Sequence, residues 1–142
     1  MPSLKCLILE RARLEKRILQ PRKGAKPVGA YSQAVKVKGD YFIFISGQVP
    51  IDSEGSLVGK GDIRAQTRQV FENIKAVLEE SGGSLENIVK LTTFLKNIED
   101  YKAFAEIRSQ YLKKDLPAST LMAIKELVNR DWLVEVEAVA VL

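Results

Sequence analysis

YFIFISGQVP, residues 41–50, is a run of extended-chain formers that stays apolar on both faces as far as Ser46. Alternation along a strand sends Phe42 and Phe44 to one side and Tyr41, Ile43 and Ile45 to the other. Such a strand needs two covers, a helix on one face and something else on the second, which predicts a central strand of a sheet. Ser46-Gly47-Gln48-Val49-Pro50 ends it, because proline has no amide to give to a ladder.

Upstream, Tyr31 to Lys38 alternates Val35 and Val37 with Ala34, Lys36 and Lys38, and Gly39-Asp40 is a turn signal, so the two segments are expected to pair as a hairpin. Downstream, Asp62 stands where a helix N-cap belongs. Ile63, Thr67, Val70, Phe71, Ile74, Val77 and Leu78 follow it on one stripe, and Ser81-Gly82-Gly83 closes the helix. Ile88 to Lys96 is rich in β-branched and aromatic residues and reads as a strand. Asp100 then caps a second helix with Tyr101, Phe104, Ile107 and Tyr111 inward. After Leu116-Pro117-Ala118 come a strand from Ser119 to Ile124, a turn at Asn129-Arg130-Asp131 and a final strand from Trp132 to Val141.

Residues 4–19 carry Leu4, Leu7, Ile8, Leu14 and Ile18 at helical spacing among basic residues and read as a short amphipathic helix, broken by Gln20-Pro21-Arg22-Lys23-Gly24. Docking on the domain, lying on an anionic membrane surface and simply preceding the domain are three roles open to it. The chain thus divides into a basic, helical N-terminal extension, residues 1–24, and one domain, residues 25–142. The order of elements predicts an α+β fold, one mixed β-sheet packed on two helices. Two helices cover one sheet face, so the other is expected to meet further copies of the chain.

Composition narrows the function. At 142 residues the chain suits a single domain, and no apolar run approaches the roughly 18 residues of a membrane span. The net charge of +4 is concentrated in residues 1–26, where eight basic groups face two acidic ones; the remainder carries −2. A slightly acidic domain lacks the basic footprint of a duplex-binding fold, and nucleic acid is disfavoured as a partner. With one cysteine, Cys6, and no histidine, internal disulfides, histidine catalysis and the usual zinc sites fall away, so no metal is expected. A four-residue apolar stretch at 6–9 is too short for a signal peptide, and a cytoplasmic protein is expected.

Four segments in this order resemble the RidA/YjgF family: Gly29-Ala30-Tyr31-Ser32-Gln33-Ala34, Ser46-Gly47-Gln48-Val49-Pro50, Gln66-Thr67 to Asn73-Ile74, and Glu135 to Val141. The resemblance spans residues 25–142. It implies a chorismate-mutase-like subunit, a homotrimer, and a small-molecule pocket in each cleft between neighbours. The activity it implies is hydrolysis of 2-imino or enamine acids to 2-keto acids and ammonia, without a cofactor.

By that resemblance Glu135 is the carboxylate that orients water, Tyr31 a pocket wall, and Ser46 with Gly47 the loop against the ligand. Pro117-Ala118-Ser119-Thr120 stands where the family reads Pro-Ala-Arg-Ser, so Ser119 replaces the substrate-clamping arginine, with Ala118 and Thr120 beside it. Ala105 stands where the family often has asparagine. A guanidinium grips a carboxylate with a fixed fork, and a serine offers one neutral donor. Arg108, Lys125 and Arg130 are the cations that could replace the missing one.

The residues themselves also admit plainer readings. Glu135 and Glu137 lie two apart on a strand whose alternate residues Val134, Val136, Ala138 and Ala140 make a buried face, so both acids can be solvated face charges. Three functions follow: an imine or enamine deaminase with altered substrate, a non-enzymatic ligand-binding or regulatory trimer, and RNA binding or cleavage through the basic N-terminal segment.

Overall fold

The computed structural model describes residues 14–142. Its elements are β1 (Glu15–Leu19), β2 (Ala34–Lys38), β3 (Phe42–Gln48), α1 (Ile63–Glu80), β4 (Ile88–Leu95), α2 (Tyr101–Tyr111), β5 (Ala118–Ala123) and β6 (Val134–Val141). The main sheet has the order β3-β6-β4-β5; β4 and β5 run parallel and the other neighbours antiparallel. The parallel pair requires a crossover, and α2 supplies it. The fold is therefore the expected α+β arrangement of two helices on a mixed sheet.

Helix α1 forms where its stripe and caps predict. The Asp62 carboxylate accepts from the amides of Arg64 (3.0 Å) and Ala65 (3.1 Å), and Gly82, at φ +85°, turns the chain out so that the Gly83 amide donates to Leu78. Val70, Phe71, Ile74 and Leu78 are fully buried against Leu91 and Leu95 of β4, Val134, Val136 and Ala140 of β6, and Phe104 of α2. The Phe71 ring stacks on Tyr111 at 5.2 Å. Gln66, also fully buried, spans three backbone groups: its amide donates to the carbonyls of Gly59 and Asp131, and its carbonyl accepts from the Leu133 amide. It fastens the start of α1 to the turn that launches β6.

Several expectations are corrected. Residues 15–19 are a strand paired with β2, not part of a helix; the rest of the helix expected over 4–19 falls outside the described residues except for Leu14. Short β1 finds its ladder partner in the Val35–Val37 alternation, which outweighs a weak helical period. Lys16 pins this ribbon to the body, donating to the carbonyls of Asp115 (2.6 Å), Ile88 (3.1 Å) and Glu86 (3.4 Å). Burial lowers its pKa, and the carboxylates of Asp115 and Glu86 work against that shift.

The hairpin expected between β2 and β3 is also absent, and β3 lies at the edge of the main sheet rather than its centre. The cause is in the connector. The amides of Asp40 and Tyr41 both donate to the Leu142 carbonyl, and the Leu142 amide donates back to Tyr41, so the chain is docked on the end of β6 before β3 begins. Tyr41 is consequently exposed rather than covered. On the helices, Val77 and Tyr101 each keep 39% of their surface, while Arg108 is buried in α2. Asp100 sits at the N-terminus of α2, but its side chain makes no capping hydrogen bond.

Thr93, fully buried on the helix side of β4, has a hydroxyl with no partner. A lone polar atom in an apolar core costs about 1–3 kcal/mol. Thr93→Val keeps the shape and removes the atom, so its urea midpoint is expected to rise with an unchanged slope, by about 1 kcal/mol in stability.

Candidate functional site

Strand β6 alternates between two environments. Val134, Val136, Ala138 and Ala140 are buried beneath the helices, which sends Glu135 and Glu137 to the opposite, open face. Phe44, 78% exposed, lies on that face with Phe42, while Ile45 is buried under α1, as the alternation of residues 41–45 requires. A depression on the open face is lined by Phe44, Ser46, Lys90, Thr92 and Glu137 among others. The Thr120 hydroxyl accepts from Lys90 Nζ at 2.6 Å along the same face.

The β3–β6 register slips between Ile45 opposite Ala138 and Gln48 opposite Val136, leaving one extra residue at Ser46-Gly47. This bulge presses the Gly47 backbone against Glu135. A Cβ built on Gly47 would coincide with Glu135 Oε1 and stand 2.9 Å from its carboxyl carbon. Glycine is required here for close approach, not for its backbone angles. Asn73 holds the next turn, its amide donating to the carbonyls of Val49 (3.1 Å) and Ile51 (2.9 Å). Burial raises the Glu135 pKa above the ordinary glutamate range, and the nearby Glu137 carboxylate raises it further.

The remaining expected residues gather elsewhere. Ser32 is buried; its amide donates to Pro117 (3.1 Å) and its hydroxyl to Leu116 (2.5 Å), stitching the loop that carries Tyr31 to the start of β5. The Tyr31 hydroxyl accepts from the Val28 amide at 3.3 Å. Ala118 begins β5, and Ser119 lies beside Leu91 while Thr120 lies beside Thr92. Consecutive strand residues face opposite ways, so Ser119 points to the helix side and Thr120 to the open face. Ala105 is half-buried on α2.

Two half-sites result. Ser46, Gly47 and Glu135 form one at the β3–β6 bulge; Tyr31, Ala118 and Ser119 belong to the other, at the β5 edge. Glu135 pairs with Phe94 and Ser119 with Leu91, three residues along β4 and on either side of it. Strand spacings put their backbones roughly 14 Å apart, with the side chains on opposite faces. A small acid cannot touch both within one chain. Ser32, Asn73 and Gln66 hold these segments in place. The sequence motifs contain all three, but a backbone-bonding role leaves no periodic signal.

Residues 22–142 match the family described as Endoribonuclease L-PSP. A RutC family protein of Pyrococcus abyssi is 44% identical over 127 residues, covering 89% of this chain and 98% of that protein. The 2-iminobutanoate/2-iminopropanoate deaminase of Dermatophagoides farinae is 32% identical over 127 residues, covering 89% and 97%. The Rid family protein YyfB from Yersinia pestis, whose function is unknown, superposes with a TM-score of 0.82 at 32% identity over 89% of this chain and 98% of its own. A Thermotoga maritima protein described as a putative endoribonuclease gives 0.68 at 39% identity over 89% and 97%.

The Glu135 environment carries a signed stability effect. A carboxyl whose folded pKa is raised binds protons more tightly folded than unfolded, so stability falls as pH rises through the ordinary glutamate range to the folded value. Glu135→Gln is therefore expected to be more stable than the wild type at pH 7, an advantage that shrinks in acid denaturation profiles below that range. Gly47→Ala is expected to fold but to displace the carboxylate, moving the Glu135 carboxyl signal in a ¹³C NMR titration.

Proposed function

The chain belongs to the RidA/YjgF family, and on that premise we propose that it is a homo-oligomeric hydrolase of small imines or enamines, with its catalytic cleft completed between neighbouring copies. The observation that carries this reading is the seating of Glu135 beneath the Gly47 bulge, with a raised pKa, on an open and partly apolar sheet face. An imine carbon is already electrophilic, so the protein has to position a water and move protons. Glu135 takes a proton from water as the oxygen bonds to the imine carbon. It then delivers that proton to the nitrogen to give the carbinolamine, takes the hydroxyl proton and passes it to the nitrogen as the C–N bond breaks, so that the carbonyl forms and ammonia leaves. Burial, then the neighbouring Glu137 carboxylate, raise the Glu135 pKa, which strengthens it as a proton acceptor relative to an ordinary glutamate.

Two features support a cleft between copies. The half-sites at Glu135 and Ser119 cannot meet in one chain, and the sheet face bearing Phe42 and Phe44 lacks a cover among the described residues. The family resemblance implies a trimer with a pocket in each cleft between neighbours, and this reading sets the β5 edge of one copy opposite the β6 face of the next. The named deaminase relative supports imine hydrolysis as the reaction. No helix among the described residues is long and apolar enough to cross a membrane.

Ammonia release from freshly generated 2-iminopropanoate tests the reading. The wild type is expected to accelerate it, and Glu135→Gln to lose about 10²-fold or more, the usual share of a general base. Equal turnover in Glu135→Gln overturns the assignment. Release at the buffer rate by wild type, appearing only in Ser119→Arg, favours a binding protein on the same scaffold. Sedimentation of a monomer at micromolar concentration overturns the shared cleft.

A further inference from the structure

No residue of β1 or β2 is buried, and a two-stranded ribbon is marginally stable by itself, so the place of this ribbon on the body depends on a few polar bonds. Among the described residues those bonds come from Lys16 on β1 and from Ser32, two residues before β2, and both converge on one segment. The carbonyls of Asp115, Leu116 and Pro117 are taken in succession: Asp115 by Lys16 Nζ at 2.6 Å, Leu116 by the Ser32 hydroxyl at 2.5 Å and Pro117 by the Ser32 amide at 3.1 Å. Ala118 then pairs with Ser32 in an isolated parallel bridge, and Ser119 is the next residue of β5.

Lys16 also reaches beyond that segment. Its other bonds, to the carbonyls of Glu86 (3.4 Å) and Ile88 (3.1 Å), lie at the entry to β4. One ammonium therefore spans the entries to both parallel strands, just ahead of their first paired residues, Lys90 and Ala118. An ammonium has three hydrogens and here meets three carbonyls, a match that no neutral side chain can make. Asp115, which accepts the shortest of the three bonds, is also the one non-glycine residue with a left-handed backbone among the described residues, at φ +46°. That conformation is disfavoured outside glycine and persists where neighbouring contacts impose it. The bond from Lys16 is such a contact.

We propose that Lys16 is the positioning residue of the β5-edge half-site: its ammonium holds the 115–117 turn in this form and thereby sets where Tyr31 and Ser119 stand relative to each other. Lys16 touches no substrate in this role. It acts through the turn, because Ser32 brings Tyr31 to one side of that segment and Ala118 leads from it to Ser119. A slip of one residue between β4 and β5 would exchange the faces of Ser119 and Thr120, and the ammonium bridging the two strand entries opposes it. The consequence for turnover rests on the imine reading above; the control of the turn does not.

Backbone amide NMR shifts of the assembled protein read the turn independently of turnover. In Lys16→Met the signals of Tyr31, Ser32, Ala118 and Ser119 are expected to move while those of Gly47 and Glu135 stay. For 2-iminopropanoate kcat/KM is expected to fall about 10²-fold, the cost of a misplacement of roughly 1 Å, with KM rising more than kcat falls. Rescue tests the charge itself. On a Cys6→Ser background, which removes the chain's single cysteine, Lys16→Cys alkylated with 2-bromoethylamine regains an ammonium at the same reach and is expected to recover both shifts and turnover. Alkylation with iodoacetamide leaves a neutral amide and is expected to recover neither. Should Lys16→Met not fold, the two adducts decide alone. Unmoved signals at Tyr31 and Ser119 overturn the proposal, as does equal rescue by both adducts. Signals that move at Gly47 and Glu135 as well mark a packing residue and overturn it too. Moved half-site signals with unchanged turnover overturn the positioning role and leave the imine reading standing. Release at the buffer rate by the wild type overturns the imine reading, and the shifts and adducts then still decide whether Lys16 sets the turn.

Discussion

Strand β6 is the constraint on which the rest of the molecule depends. It bonds to β3 on one side and β4 on the other, and every second residue from Val134 to Ala140 is buried beneath α1. Because strand alternation has a period of two, burying those residues fixes Glu135 and Glu137 on the far face without further specification. The core and the candidate carboxylate are the two faces of one strand, and a one-residue slip would exchange them. Gln66 at the entry to β6 and the bonds of Asp40 and Tyr41 to Leu142 at its exit guard against that slip.

Strong local periods made most of the architecture legible in the sequence. The stripe and caps of α1, the β-branched run of β4 and the alternation of β6 each have one solution, and all three formed as expected. The failures lie where two ladders compete for one segment. Val35 and Val37 suit pairing with either neighbour, and a Gly-Asp turn signal favours β3. Nothing local in the sequence reveals that residues 40–41 will be taken by the chain end at Leu142. The strand at 15–19 was hidden for a related reason: five residues with two apolar positions satisfy a helical period as easily as an extended one.

The site was legible in its residue types more than in its geometry. Glu135 and Gly47 were separable from their neighbours only through resemblance. Their direct contact depends on a bulge, which adds one residue to a strand without any sequence signal beyond the glycine itself. Ser119 and Thr120, adjacent in sequence, fall on opposite faces, so they do not act as a pair of donors. Arg108 stood among the inward positions of α2 in the fold yet among the possible replacement cations in the sequence. Periodicity alone cannot separate these, because a helix stripe reports which way a residue faces and says nothing about what meets its tip.

The exposed face and the split site are consequences of one arrangement. Two helices can roof one side of a four-stranded sheet, and Phe42 and Phe44 then remain on the other side with the carboxylates of β6. Covering that side with a third helix would bury Glu135 and Glu137 without an ion pair, since Lys90, the cation lining the same depression, donates to the Thr120 hydroxyl instead. The second copy proposed above would meet both demands, since it could lay apolar surface on the phenylalanines while leaving a cleft over Glu135. On the proposed reading, the face left open on the single chain is also the face on which its catalytic cleft would be completed. In the proposed homo-oligomer, the neighbouring copy is what would exclude bulk water from Glu135 and strengthen the electrostatics there.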